Sequence, residues 1–199
     1  MLSNLKENEL QLATTLINDG LDMAKVSMEQ ILQSPIVLKK IDYGHDEEDI
    51  PQVNSKNGDR LHLIKTELKG QLKGSCFLIF SEEEVEKIYN TCLSPDMLAD
   101  NSDQGMEMKM AFLTEIDNMV SAAVITKFSN FLDLELFGYV PSVNVISADE
   151  VKNYLDAELA TFETIIHFKA IFHGTELDIS PDFIWMFNDK FLEKIKDFL

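Results

Sequence analysis

Hydrophobic residues spaced three and four apart mark two long helices, and the two sets stand 100 residues apart. Leu12, Leu16, Ala24, Met28, Ile31 and Leu32 correspond to Phe112, Ile116, Val124, Phe128, Phe131 and Leu132, and each set makes one inward face of a helix. A strand-like run follows each helix, at 36–41 and at 134–140. Each half then offers a strand pair. In the first it is 61–68 with 75–80, joined through Gly70 and Gly74; in the second it is 162–172 with 183–187, turning near His173 and Gly174. After the last strand of each pair comes a short helix, and segments 80–88 and 187–195 match at an offset of 107. Ser81 and Asn188 read as the N-caps, acidic residues fill the first turn, and Ser81 with Glu84 makes a capping box. Ser147 and Glu150 make another, opening a helix to about Ala160. Residues 44–59 are polar and acidic and read as a loop; 95–105 lacks periodicity and joins the halves.

These matches in one order predict an internal duplication, with pseudo-repeats at about 1–94 and 106–199. The expected fold class is α+β: two pseudo-two-fold helix-strand-strand-strand-helix units, their strands merged into one antiparallel sheet with the two long helices alongside it. Separate halves would each have a thin core, so residues 1–199 are expected to form a single domain.

Composition narrows the partners. A formal net charge of −18 disfavours unaided binding to nucleic acid or an anionic membrane and favours a basic or cation-carrying partner. Cys76 and Cys92 lie in no CxxC or Cys/His cluster, and His45, His62, His167 and His173 are scattered, so neither a disulfide framework nor a zinc site is indicated. The N-terminus lacks signal-peptide features, and no uncharged run approaches the roughly 18 residues that span a bilayer. A cytoplasmic chain is expected.

The candidate chemistry lies on the second long helix. Glu115 and Asn118, three apart, project from one face. Phe112, Ile116, Met119, Val120, Ala123, Val124 and Phe131 form the apolar arc, with Lys127 fitting it poorly. Ala111, Ala122 and Ile125 lie with Glu115 and Asn118 on the other, exposed side, and small apolar residues there suggest a docking surface. Met106, Met108 and Met110 read as packing residues, Trp185 as core or an edge contact, and the acidic run 45–49 as solvated loop. No P-loop, dinucleotide fingerprint or nucleophile elbow is present.

The run Glu115-Ile-Asp-Asn118, a gap of 22 residues and then Pro141, within a duplicated helix–strand pattern, resembles the CheC/CheX family of chemotaxis phosphatases. The resemblance covers essentially the whole chain: CheC-like in length and duplication, CheX-like in having one intact motif. It implies a hydrolase of two-component signalling that removes phosphate from the aspartyl phosphate of a CheY-like response regulator. Asn118 would orient the attacking water and Glu115 would pair with a receiver lysine. No cofactor or metal of its own is expected, Mg²⁺ being held by the receiver. A CheD-type deamidase is a further possible partner, and the chain is expected to be a monomer or homodimer. Ala111 departs from the Asp or Ser that often stands four residues before the Glu. At an offset of 100, Thr15, Asn18, Asp22, Lys25 and Ile41 replace Glu115, Asn118, Ala122, Ile125 and Pro141, so the first half keeps only the Asn. The alternative is a non-catalytic receiver-binding or flagellar-switch adaptor with a degenerate site.

Overall fold

The two periodic segments form α1 (Glu7–Leu32) and α4 (Asp103–Leu132), which pack against each other. A computed structural model of the chain describes residues 6–45, 52, 53, 55, 59–162 and 165–199. The expected loop at 44–59 and its acidic run fall largely outside that set. Burial repeats along the two helices at a spacing of 100: Ala13, Leu16, Ile17, Leu21, Ala24, Met28 and Leu32 match Leu113, Ile116, Asp117, Ser121, Val124, Phe128 and Leu132. Both helices stop at a left-handed residue, Gln33 at φ 49° and Asp133 at φ 51°. Gly20 lets them approach closely, since a Cβ there would lie 3.1 Å from Phe128 Cε1 and 3.3 Å from Val124 Cγ1.

The strands are β1 (Ile36–His45), β2 (Arg60–Gly70), β3 (Gly74–Ser81), β4 (Leu136–Gly138), β5 (Ser142–Ser147), β6 (Ile165–Gly174) and β7 (Asp182–Asn188). They form one antiparallel sheet ordered β1-β6-β7-β3-β2-β4, with β5 sharing the outer edge of β2. The central neighbours β3 and β7 come one from each half. The strand that follows each long helix crosses to the other half: β1 pairs with β6, while β4 and β5 pair with β2. The two units are therefore interleaved, a pairing that the sequence pattern does not reveal.

Shorter helices complete the two layers: α2 (Glu82–Cys92), α3 (Pro95–Ala99), α5 (Ala148–Leu159) and α6 (Lys190–Asp197). On one face α1, α4, α2 and α6 cover a core in which Phe128 packs against Trp185, Phe187 and Phe191. On the other, α5 covers a smaller cluster around Leu63, Phe77 and Ile184. Trp185 is therefore core. Met110 packs at the margin of the larger core, but Met106 and Met108 are exposed.

Four sequence expectations need correction. The joining segment contains α3, because Ser94 caps a turn begun by Pro95. Asn188 is the last residue of β7, and Asp189 takes the cap position of α6 without a side-chain cap bond. The strand expected over 134–140 is only β4, with β5 beyond it, and Pro141 stands between them. Gly138 faces Leu68 and Ser142 faces Lys65, so Tyr139, Val140 and Pro141 span what Glu67 and Thr66 span on β2. That is a one-residue bulge, and a proline with no N–H to donate suits it. Finally, the buried stripe of α4 is rotated from the expected arc. Met119 is 39% exposed, whereas Asp117, Ser121 and Ile125 are buried, because β2 and β4 pack against the helix as well as α1. Lys127 finds its partner across the helix pair, 2.8 Å from Asp19.

Candidate functional site

Ser102 caps α4 through the N–H of Gly105, and the helix runs unbroken through the motif, so Glu115 and Asn118 stand on one rigid element. Both are exposed. Among the described residues, neither side chain makes a hydrogen bond or an ion pair, which leaves a carboxylate and a carboxamide free for an incoming partner. Ala111 and Ala122 are exposed on the same helix, as expected. Ile125 is not; it is 5% exposed and lies under β4, where a Cβ on Gly138 would come within 3.1 Å of its Cδ1. On β4 and just after it the surface carries Phe137, Tyr139 and Val140, the last 80% exposed. These three apolar side chains, on β4 and the bulge that follows it, went unnoticed in the sequence, where they read as ordinary strand residues.

Directly beneath the pair lies a polar cluster. Asp117, between Ile116 and Asn118, is fully buried. The Thr66 hydroxyl on β2 donates to its Oδ2 at 2.6 Å, and its Oδ1 has no hydrogen-bond partner among the described residues. Burial pushes the Asp117 carboxyl up to about 7, against the opposing effect of the Thr66 bond. Cys76 faces Thr66 across the β2–β3 ladder. Burial, and then the nearby Asp117, raise its thiol well above the ordinary range, with Ser121 alongside acting the other way. Thr66 is also the residue opposite the Pro141 bulge, and Pro141 itself is half-buried. Asp117, between Glu115 and Asn118, is thus tied to the β2 residue that lies opposite the Pro141 bulge.

The first half presents a different surface. Thr15 bonds back to the Gln11 carbonyl, Asn18 Oδ1 accepts from the Tyr43 hydroxyl at 3.4 Å, and Asp22 is exposed. β1 also carries a register shift, between Leu38 and Lys40, but without a proline it continues as one strand. No group of three or more His, Cys, Asp or Glu among the described residues is placed to hold a metal ion, and no described helix is long and apolar enough to cross a membrane.

Neither protein-family models nor curated proteins give a match to this sequence. Solved structures do. FliY from Thermotoga maritima superposes with a TM-score of 0.66 at 14% identity, over 98% of this chain and 97% of that one. CheX from Borrelia burgdorferi, in a CheX–CheY–BeF3–Mg²⁺ complex, gives 0.55 at 15% identity over 86% and 97%. The FliM middle domain from Helicobacter pylori gives 0.55 at 10% over 98% and 100%. The chain has the CheX–FliY–FliM fold. The structures of that fold include complexes: the CheX above is solved with CheY, and a FliM from H. pylori is solved with FliG.

Proposed function

We propose that this chain is a chemotaxis protein phosphatase that hydrolyses the aspartyl phosphate of a CheY-like receiver domain. The observation that carries this is the exposed, unpartnered Glu115 and Asn118 pair on a rigid helix, in a fold shared with a CheX that binds CheY. An aspartyl phosphate is an acyl phosphate with a good leaving group, so its hydrolysis needs chiefly a water held in line with the P–O bond that breaks. The Asn118 carboxamide can accept from that water and donate to a phosphoryl oxygen at once. The Glu115 carboxylate draws a receiver lysine away from the phosphoryl group and fixes the two proteins in register. Mg²⁺ held by the receiver balances the phosphoryl charge. Ala111 and Ala122 leave room for close approach, while Phe137, Tyr139 and Val140 extend the contact.

A second reading, a receiver-binding or flagellar-switch adaptor without turnover, is favoured by the equal likeness to FliM and by Ala111. Release of inorganic phosphate from a phosphorylated receiver, with and without this chain, separates the two. Acceleration that disappears in Asn118→Ala supports the phosphatase. Phosphate loss at the receiver's own rate for every candidate regulator, together with measurable binding, supports the adaptor.

A further inference from the structure

The duplication supplies an internal control for the polar cluster under α4. Helix positions correspond at a spacing of 100, so Asp117 and Ser121 match Ile17 and Leu21. In the sheet, Gly138 faces Leu68 as Leu38 faces Phe172; counting along from there, Thr66 matches Ala170. Their ladder partners then correspond too, Cys76 to Phe183. All eight residues are buried. The same framework therefore closes with four apolar side chains under α1, which lacks the Glu. Under α4, which carries both Glu115 and Asn118, it closes with Asp, Ser, Thr and Cys. A buried carboxyl with one oxygen unpartnered costs free energy that an isoleucine would not, so packing alone does not account for it.

We infer that Asp117 is a positioning residue for Glu115 and Asn118: its buried carboxyl, tied to Thr66, sets how α4 rests on β2 and hence where the two exposed groups stand, and ionising it shifts them. Asp117 faces Thr66 from β2, the Cys76 thiol from β3 and Ser121 from its own helix, and among the described residues no other charged group acts on it. The neutral acid suits these buried surroundings. The carboxylate, with a bare Oδ1, needs water or a new donor, and either one loosens the contact between α4 and β2. Because α4 is continuous, that loosening reaches the outward side chains one residue away and half a turn away. Burial lifts the Asp117 carboxyl to about 7, so its two forms exchange near neutral pH. Resting on the phosphatase reading, the catalytic consequence is a rate that falls as pH rises through about 7.

The test has one arm that does not depend on activity. In the free protein, NMR titration from pH 5.5 to 8.5 follows the Asp117 carboxyl, the Asn118 side-chain amide and the Glu115 carboxyl. The Asn118 amide is expected to move with the Asp117 midpoint and to stay still in Asp117→Asn. An amide that ignores the Asp117 titration, or moves equally in the variant, overturns the inference. In phosphate-release assays, Asp117→Asn, a neutral isostere, should keep the low-pH rate and remove the high-pH decline. The double variant Thr66→Ala with Asp117→Ile, which copies the first half, should lose about tenfold in kcat with little change in KM. A folded double variant with the wild-type rate and pH profile overturns the inference. If wild type speeds no receiver's phosphate loss while the Asn118 amide still follows Asp117, the phosphatase reading fails and the positioning role stands.

Discussion

Gly20→Ala sets helix propensity against packing at the point where α1 and α4 meet. In an exposed helix interior, alanine is favoured over glycine by up to about 1 kcal/mol. Here the new methyl would meet Phe128 Cε1 at 3.1 Å and Val124 Cγ1 at 3.3 Å, so one of them must yield by a few tenths of an ångström. Val124 is fully buried, and the Phe128 ring is enclosed by Trp185, Phe187 and Phe191 at centroid distances of 6.1, 5.7 and 5.6 Å. With the ring buried and flanked by three others, the overpacking cost of about 1–3 kcal/mol outweighs the propensity gain. The net expectation is a loss of about 1 kcal/mol, read as a lower urea midpoint by circular dichroism and Trp185 fluorescence. Phe128→Leu removes the ring edge, so Gly20→Ala in that background should become neutral or stabilising, with a coupling energy of at least about 1 kcal/mol. If Gly20→Ala alone raises the midpoint, or the two changes simply add, the helices are not pressed together there and the reasoning fails.

The two motif residues should fail differently: Asn118→Ala should lose most turnover while retaining receiver binding, whereas Glu115→Ala should lose affinity and rate together and bind with less salt sensitivity. Calorimetry and phosphate release on both variants check this, and equal modest losses would contradict the assigned roles. Ala122→Lys should weaken receiver binding without unfolding the protein, because lysine is a good helix former at an exposed position; wild-type affinity in the folded variant would remove α4 from the interface. Asp117 gives stability a pH dependence whose sign is fixed. Its carboxyl is raised from 3.8 to about 7 by burial, so the folded chain binds the proton more tightly than the unfolded one. The resulting stabilisation is full below about pH 4, is lost as pH rises to about 7, and is level beyond that, amounting to about 4 kcal/mol across the window. Asp117→Asn should remove this slope, so denaturant midpoints of variant and wild type should diverge between pH 4 and 7 in the variant's favour; parallel curves would refute it.

Local rules carried much of the fold. Periodicity located both long helices, and the alternation of Leu61, Leu63 and Phe77 against Ile64, Leu68 and Cys76 gives the sheet its two faces. What stayed hidden depends on contacts remote in sequence. Nothing local tells β1 to pair with β6 rather than with a strand of its own half. Ile125 reads as exposed on a helical wheel that assumes one packing partner, and it is buried because α4 has two, α1 and the β2–β4 edge. Asp117 is not singled out in the sequence, and aspartate seldom lies fully buried. The signal that could have found it was present in the repeat itself: its counterpart, Ile17, sits in a helical stripe that must be covered.

The crossing of β1 and β4 between halves has a consequence for how the two motif helices diverged. A half-length chain of this design leaves its post-helix strand without a neighbour, so it closes its sheet only against a second copy. Joining two such units in one polypeptide makes the second copy always present, at an effective concentration no free subunit reaches. In a symmetric pair every change appears twice, and losing the Glu on one helix loses it on both. Once tethered, α1 can carry Thr15 where α4 carries Glu115, and the interior can be polar under one helix and apolar under the other. The covalent link is what allows a two-fold scaffold to present Glu115 and Asn118 on one side alone.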